Sequence, residues 1–260
     1  MRDSANHIAL LRSQIAAVER QRPALAVEPM LVPFGHAGVD AGTGGGLARG
    51  RLHELFAASV DDSGAAAGFA AMLAARMGGT TIVWLRERMA EARGGCLHAP
   101  GLAELGLDPG RVVLGVLDDP LALLRVASEV VRCPDVDVAV IELWKNPRPL
   151  DLTASRRLAV AAEQSGVTAL MLRAEAEPAA SAAQTRWQIA SVAAMPLEAN
   201  APGFPTLEID LLRQRGGPSG MRWQVEWDRD QKIFREPALS CPVVPLSERG
   251  SLATRARRAG

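Results

Sequence analysis

The stretch Leu52-His53-Glu54-Leu55-Phe56-Ala57-Ala58-Ser59-Val60-Asp61-Asp62-Ser63-Gly64-Ala65-Ala66 decides the fold. A mostly apolar strand, a short polar turn and the start of an Ala-rich helix, Gly64 to Met77, follow one another without a spacer. The pattern then repeats. Thr80–Leu85 is an apolar β-branched strand, Pro100–Leu105 a short helix and Arg111–Leu117 another strand. Pro120 sits near the start of a Leu121–Val131 helix, where its missing N–H costs nothing. Val136–Leu143 is a continuous apolar strand, Asp151 caps a helix to about Gln164 that Gly166 stops, and Val167–Leu172 is the next strand. Strands without polar alternation, separated by helices, predict a mostly parallel sheet covered on both faces. Beyond Glu175 the period becomes two: Thr185–Ala190, Thr206–Arg213 and Met221–Trp227 read as alternating strands, the last two joined across residues 216–220 by a hairpin. The expected fold class is α/β, a mostly parallel sheet flanked by helices with antiparallel strands at its C-terminal side.

Composition bounds the rest. The chain has 260 residues, 48% of them hydrophobic and 22% charged, with zero formal net charge. That is ample for a packed core and incompatible with disorder of the bulk. No apolar run reaches membrane-spanning length, and the polar, acidic start Met1 to His7 lacks a signal peptide's apolar stretch, so a cytoplasmic protein without membrane contact is expected. Three scattered cysteines and four scattered histidines build neither a disulfide framework nor a metal centre, and no metal or cofactor is expected.

The strand–turn–helix stretch invites comparison with a P-loop, whose backbone N–H groups curl round phosphates, whose lysine reaches the β- and γ-phosphates and whose Ser or Thr holds magnesium. Laid over Ser59 to Ala66, the pattern finds its second glycine as Gly64. The first glycine is Ser59, the lysine is Ala65 and the hydroxyl residue is Ala66. Asp61 and Asp62 add negative charge to a loop meant for polyphosphate, each unit charge at 4 Å being worth about 1 to 4 kcal/mol between bulk water and a surface-like dielectric. Glu142 ends an apolar strand where a Walker B acid would hold magnesium, and Glu87 follows another where RecA-type folds place the residue that activates water. The loop is a vestige, and no ATPase activity is expected.

The basic residues are lopsided: 27 of the 29 are Arg, the others being Lys145 and Lys232. From Arg213 onward ten basic residues face five acidic ones, a net of +5, so the remainder of this neutral chain is net −5. The 216–220 hairpin is expected to bring Arg213, Arg215 and Arg222 near one another, and with Arg255, Arg257 and Arg258 they form the candidate surface for an acidic partner. Arg pairs bidentately with phosphate or carboxylate, so residue type leaves open whether that partner is nucleic acid or protein. With no Tyr and 4% aromatic residues, a platform for stacking bases is poorly furnished.

Several blocks together resemble the ImuA family of RecA/SulA-like, DNA-damage-inducible proteins: Gly44-Gly45-Gly46-Leu47 through Leu55, Leu143-Trp144, Asp151 through Leu158, Gly166 through Leu170, Thr185-Arg186-Trp187, Leu211 through Gly217, and Trp223 through Asp228. The resemblance spans about residues 35–237. It implies a RecA-like core at 51–237; the residue pattern adds a Gly-rich connector at 35–50, an N-terminal helical arm at 1–34 and a basic tail at 238–260 expected to be disordered. The Ile8, Leu11, Ile15, Val18 seam of that arm fits either docking on a partner or packing on its own domain. The family implies an accessory role in the SOS translesion-synthesis mutasome, with ImuB and RecA as partners and an error-prone replicative-type DNA polymerase reached through the complex. DNA contact stays open. The resemblance carries over no catalytic residue. The rival functions are a RecA-like ATP-dependent DNA-binding protein and a SulA-like inhibitor of cell division.

Overall fold

A computed structural model of the chain describes residues 29–237, apart from 79, 198 and 200. Eleven strands and six α-helices occur among the described residues: β1 (Leu31–Val32), α1 (Ala37–Thr43), β2 (Leu47–Ala48), β3 (Leu52–Ala57), α2 (Ser63–Met77), β4 (Ile82–Glu87), α3 (Arg88–Gly94), α4 (Ala99–Glu104), β5 (Val112–Leu117), α5 (Pro120–Val130), β6 (Val138–Trp144), α6 (Leu152–Ser165), β7 (Thr168–Ala174), β8 (Thr185–Ser191), β9 (Thr206–Gln214), β10 (Met221–Asp228) and β11 (Ile233–Arg235). Nine strands form one sheet in the order β11-β10-β9-β8-β3-β7-β6-β4-β5. From β8 to β5 every pairing is parallel, and from β8 to β11 every pairing is antiparallel. The expected switch of period after Glu175 is therefore a switch of strand direction at the β8–β9 pair.

The local signals are chemical. Asp151 Oδ1 accepts the Ala154 N–H at 2.7 Å and starts α6, and Asp119 does the same for α5 through Ala122 at 2.9 Å with Pro120 in the first turn. The parallel strands β3, β4, β6 and β7 are buried along their whole length, which is why their sequences do not alternate. Helix α2 covers one face, where Phe34, Phe69, Trp187, Trp227 and Phe234 form a continuous aromatic core. Helices α5 and α6 cover the other. The three-residue stripe Trp223, Val225, Trp227 faces the α2 side, so it is core and not a stacking platform.

The run 35–50 differs from the expected connector. It holds α1 and β2, buries Val39 and Leu47, and belongs to the core. Its glycines serve close approach instead of flexibility. A Cβ on Gly46 would lie 2.2 Å from the Val32 carbonyl oxygen, and one on Gly42 would lie 2.6 Å from the Trp223 ring. Phe34 is likewise inside the core, so the folded unit begins before residue 35. The Ile8–Val18 seam and the 238–260 tail lie outside the described residues.

Strand β3 carries two polar residues into this interior. The His53 ring bridges Thr185 Oγ1 at 2.7 Å through Nδ1 and the Ala48 carbonyl at 2.8 Å through Nε2, and Trp187 Nε1 donates to the same Thr185 hydroxyl at 2.8 Å. Burial lowers His53 from its ordinary 6.5 to about 4; the Ala48 bond works against that shift and the Arg51 charge adds to it. The native state therefore keeps the ring neutral where the unfolded chain protonates it. Unfolding stability should be insensitive to His53 above pH 6.5 and fall by at most about 3 kcal/mol from this residue as pH drops toward 4. Denaturant titrations of the wild type and His53→Gln at pH 7.5 and about 4.5 check this: the variant is less stable at pH 7.5 but loses less on acidification.

Candidate functional site

The loop between β3 and α2 is closed by its own Ser59 and Asp62 together with Ser191 at the end of β8. Ser59 Oγ donates to Asp62 Oδ2 at 2.6 Å, while Asp62 Oδ1 accepts the Ser191 N–H at 2.8 Å and the Ser191 hydroxyl at 2.7 Å. Burial opposes ionisation of this carboxyl, but the hydrogen bonds from Ser191 and Ser59 outweigh it and hold Asp62 below the ordinary carboxylate range. The carboxylate thus sits where anion-seeking donors converge. Of the positions that would serve nucleotide, Ala65 packs against the core and Ala66 is completely buried in it. Gly64 borders open space.

The two strand-end carboxylates are also occupied. Glu142 is 5% exposed and receives Arg86 Nε at 2.7 Å, Arg86 Nη2 at 2.9 Å and Trp84 Nε1 at 2.9 Å. Arg86 is 3% exposed and also donates to the Gly95 carbonyl at 2.8 Å. Both oxygens of Glu142 are therefore engaged by a bidentate guanidinium and an indole. Glu87 accepts the Trp144 N–H at 3.1 Å. A cavity of about 320 Å3 beside this pair is lined by Gly64, Gly68, Arg86, Cys96 and Glu142 among others, so Gly64 and Glu142 share one hollow while Glu87 lies outside its wall. Among the described residues no group of three or more potential metal ligands forms, and no helix is long and apolar enough to cross a membrane.

A second buried pair stands on the opposite face of β3. Glu54 Oε2 receives Arg186 Nε at 3.0 Å and the Ser181 hydroxyl at 2.7 Å, and Arg173 and Arg186 both stand over the Phe56 ring, at 5.5 and 5.8 Å from its centroid. Burial lowers the Arg173 guanidinium from its ordinary range, partly offset by Glu54.

The candidate arginines divide. Arg222 is occupied by carboxylates: Asp210 lies directly opposite it in the β9–β10 register and clamps it with bonds of 2.6 and 2.7 Å, with Glu208 3.2 Å away. Arg213 and Arg215 lie beyond the hairpin pairing and line a groove against α6. Arg255, Arg257 and Arg258 lie outside the described residues. Arg51, Arg156 and Glu163 in the same groove were missed by sequence reasoning; the Leu152, Arg156, Val160, Glu163 spacing along α6 was the signal that could have found them.

Comparison with known proteins places this geometry. No family model matches the chain. Protein ImuA from two strains of Caulobacter vibrioides is 32% identical, the match covering 73% of this chain and 81% of each relative. The crystal structure of the RadB recombinase superposes with a TM-score of 0.53 at 14% identity, over 79% of this chain and 99% of that one. The α/β sheet is accordingly RecA-like, as its mostly parallel order with antiparallel C-terminal strands requires.

If Glu142 is structural, Glu142→Gln strands a buried guanidinium and lowers stability by about 3 kcal/mol. Adding Arg86→Met should recover more than half of that loss, since Gln can still accept the Trp84 indole. Chemical denaturation of the single and double variants provides the measurement, and a neutral Glu142→Gln would mean that the pair is not what holds this site closed.

Proposed function

The chain belongs to the ImuA family, and from that premise we propose that it is a non-catalytic RecA-like accessory protein of the cytoplasmic translesion-synthesis response to DNA damage. It acts by binding ImuB, RecA or both, and reaches an error-prone replicative-type polymerase through that complex. One observation carries the non-catalytic part: Glu142, near the end of β6, is consumed by Arg86 and Trp84, beside a loop-and-helix start that already lacks lysine and hydroxyl at Ala65 and Ala66. Nucleotide binding would need a cation near the phosphates and a free carboxylate for magnesium, and the described site offers a buried neutralised pair instead.

The rival of an active ATPase makes a different prediction at this place. Calorimetry with ATP and magnesium should give no micromolar binding, and a saturable heat removed by mutating residues 59–66 would overturn the non-catalytic reading. The rival of a division inhibitor is separated by partner choice, since retention of the tubulin-like division protein in place of ImuB would favour it.

Partner contact is placed at the basic C-terminal third, on Arg213 and Arg215 with the Arg255, Arg257 and Arg258 tail. Exposed pairs are worth about 0.2–1 kcal/mol each, so affinity comes from several acting together. Deleting residues 238–260 should weaken capture of purified ImuB or RecA at least several-fold and leave the melting temperature within about 2 °C. Undiminished capture would remove the tail from the interface.

A further inference from the structure

Helix α6 carries two stripes. Leu158, Ala161 and Ala162 face the core, whereas Leu152 and Val160, in the first and third turns, are 52% and 46% exposed. Opposite that outer stripe run residues 181–184 and 213–216, and between them lie two adjoining cavities of about 340 Å3 each, sharing Ala159, Glu163, Ala182 and Arg215. The walls bring Arg51, Arg156, Arg213 and Arg215 to one place with a single carboxylate, Glu163, which Arg51 already holds at 3.2 Å. No carboxylate among the described residues pairs with Arg156, Arg213 or Arg215, in contrast to Arg86, Arg186, Arg222 and Arg235, which are all paired. Arg213 is oriented by its bond to the Ser181 carbonyl at 3.2 Å. A groove with a net charge of +3 and an aliphatic floor is thus left without a complement.

We propose that this groove is the docking site for an acidic amphipathic helix of a partner protein, its leucine-type residues laid on Leu152, Ala159 and Val160 and its carboxylates on Arg156, Arg213 and Arg215. The proposal rests on the reading that the protein works by binding other proteins. The chemistry favours a peptide over nucleic acid. Phosphates could use the arginines, but the aliphatic floor would stay wet and no aromatic ring lines the groove to stack a base. Leu152 to Glu163 spans about 17 Å of helix, room for about three turns of a partner helix read at every third or fourth residue. The chain's own tail is basic and does not fit.

The test uses the full chain and three labelled probes of 16 units at about 150 mM salt: an acidic peptide with leucine at every third or fourth position, poly-glutamate, and single-stranded DNA. Fluorescence anisotropy should show the leucine-bearing peptide binding at least tenfold more tightly than either other probe. Arg213→Glu/Arg215→Glu and, separately, Val160→Asp should each weaken it at least tenfold, whereas Arg125→Glu on the exposed side of α5 should not, with melting curves confirming that all variants fold. Equal binding of all variants, tightest binding of DNA, or no preference for leucine over poly-glutamate would overturn the proposal. Capture of ImuB separates the two levels. Groove variants that retain full capture sink the groove alone, while a wild type that captures neither ImuB nor RecA sinks the function on which it rests.

Discussion

Strand β3 is buried on both faces and paired on both edges, to β7 and to β8, and every other part of the sheet is arranged around that position. A strand so enclosed can carry polar side chains only if its neighbours supply partners. His53 and Glu54 point to opposite faces, and each is answered from β8, by Thr185 on one side and Arg186 on the other. The parallel half of the sheet and the antiparallel half are therefore joined by two side-chain bridges as well as by a backbone ladder. That accounts for the Thr185-Arg186-Trp187 block: its three side chains serve His53, Glu54 and the aromatic core.

The loop between β3 and α2 and the strand end beside it satisfy their polar groups internally. Convergent donors do not stay empty in a folded interior; they acquire internal acceptors. Asp62 serves that role for Ser59 and Ser191, and Glu142 for Arg86 and Trp84. These bonds tie β3 to β8 and β4 to β6 through side chains as well as through the backbone ladders.

Much of the fold could be read from the chain because its signals are local. Asp151 with Gly166, Asp119 with Pro120, and the unbroken apolar runs of β4, β6 and β7 are each decided by a few adjacent residues. What could not be read was pairing at a distance. Arg86 and Glu142 are 56 residues apart, and only the β4–β6 register sets them side by side. The pairing of Arg222 with Asp210 was hidden for the same reason, since a hairpin's turn says which residues are near but the register says which carboxylate each meets. The glycines of 42–46 read as looseness because the Trp223 ring and the Val32 carbonyl they accommodate come from other segments.

The position of β3 also sets an order of events. Its two sheet neighbours come late: the Thr168 hydroxyl that holds Gly50 is 118 residues downstream and the Thr185 hydroxyl that holds His53 is 132. At a synthesis rate of about 5–20 residues per second, roughly 7 to 26 s separate the emergence of β3 from that of its second partner. During that interval Leu52, Leu55 and Phe56 lack the neighbouring strands that complete their burial, although they end among the most completely buried of the described residues. The sheet is thus centred on a strand whose burial is completed late, the mark of a slow-forming topology dominated by non-local contacts.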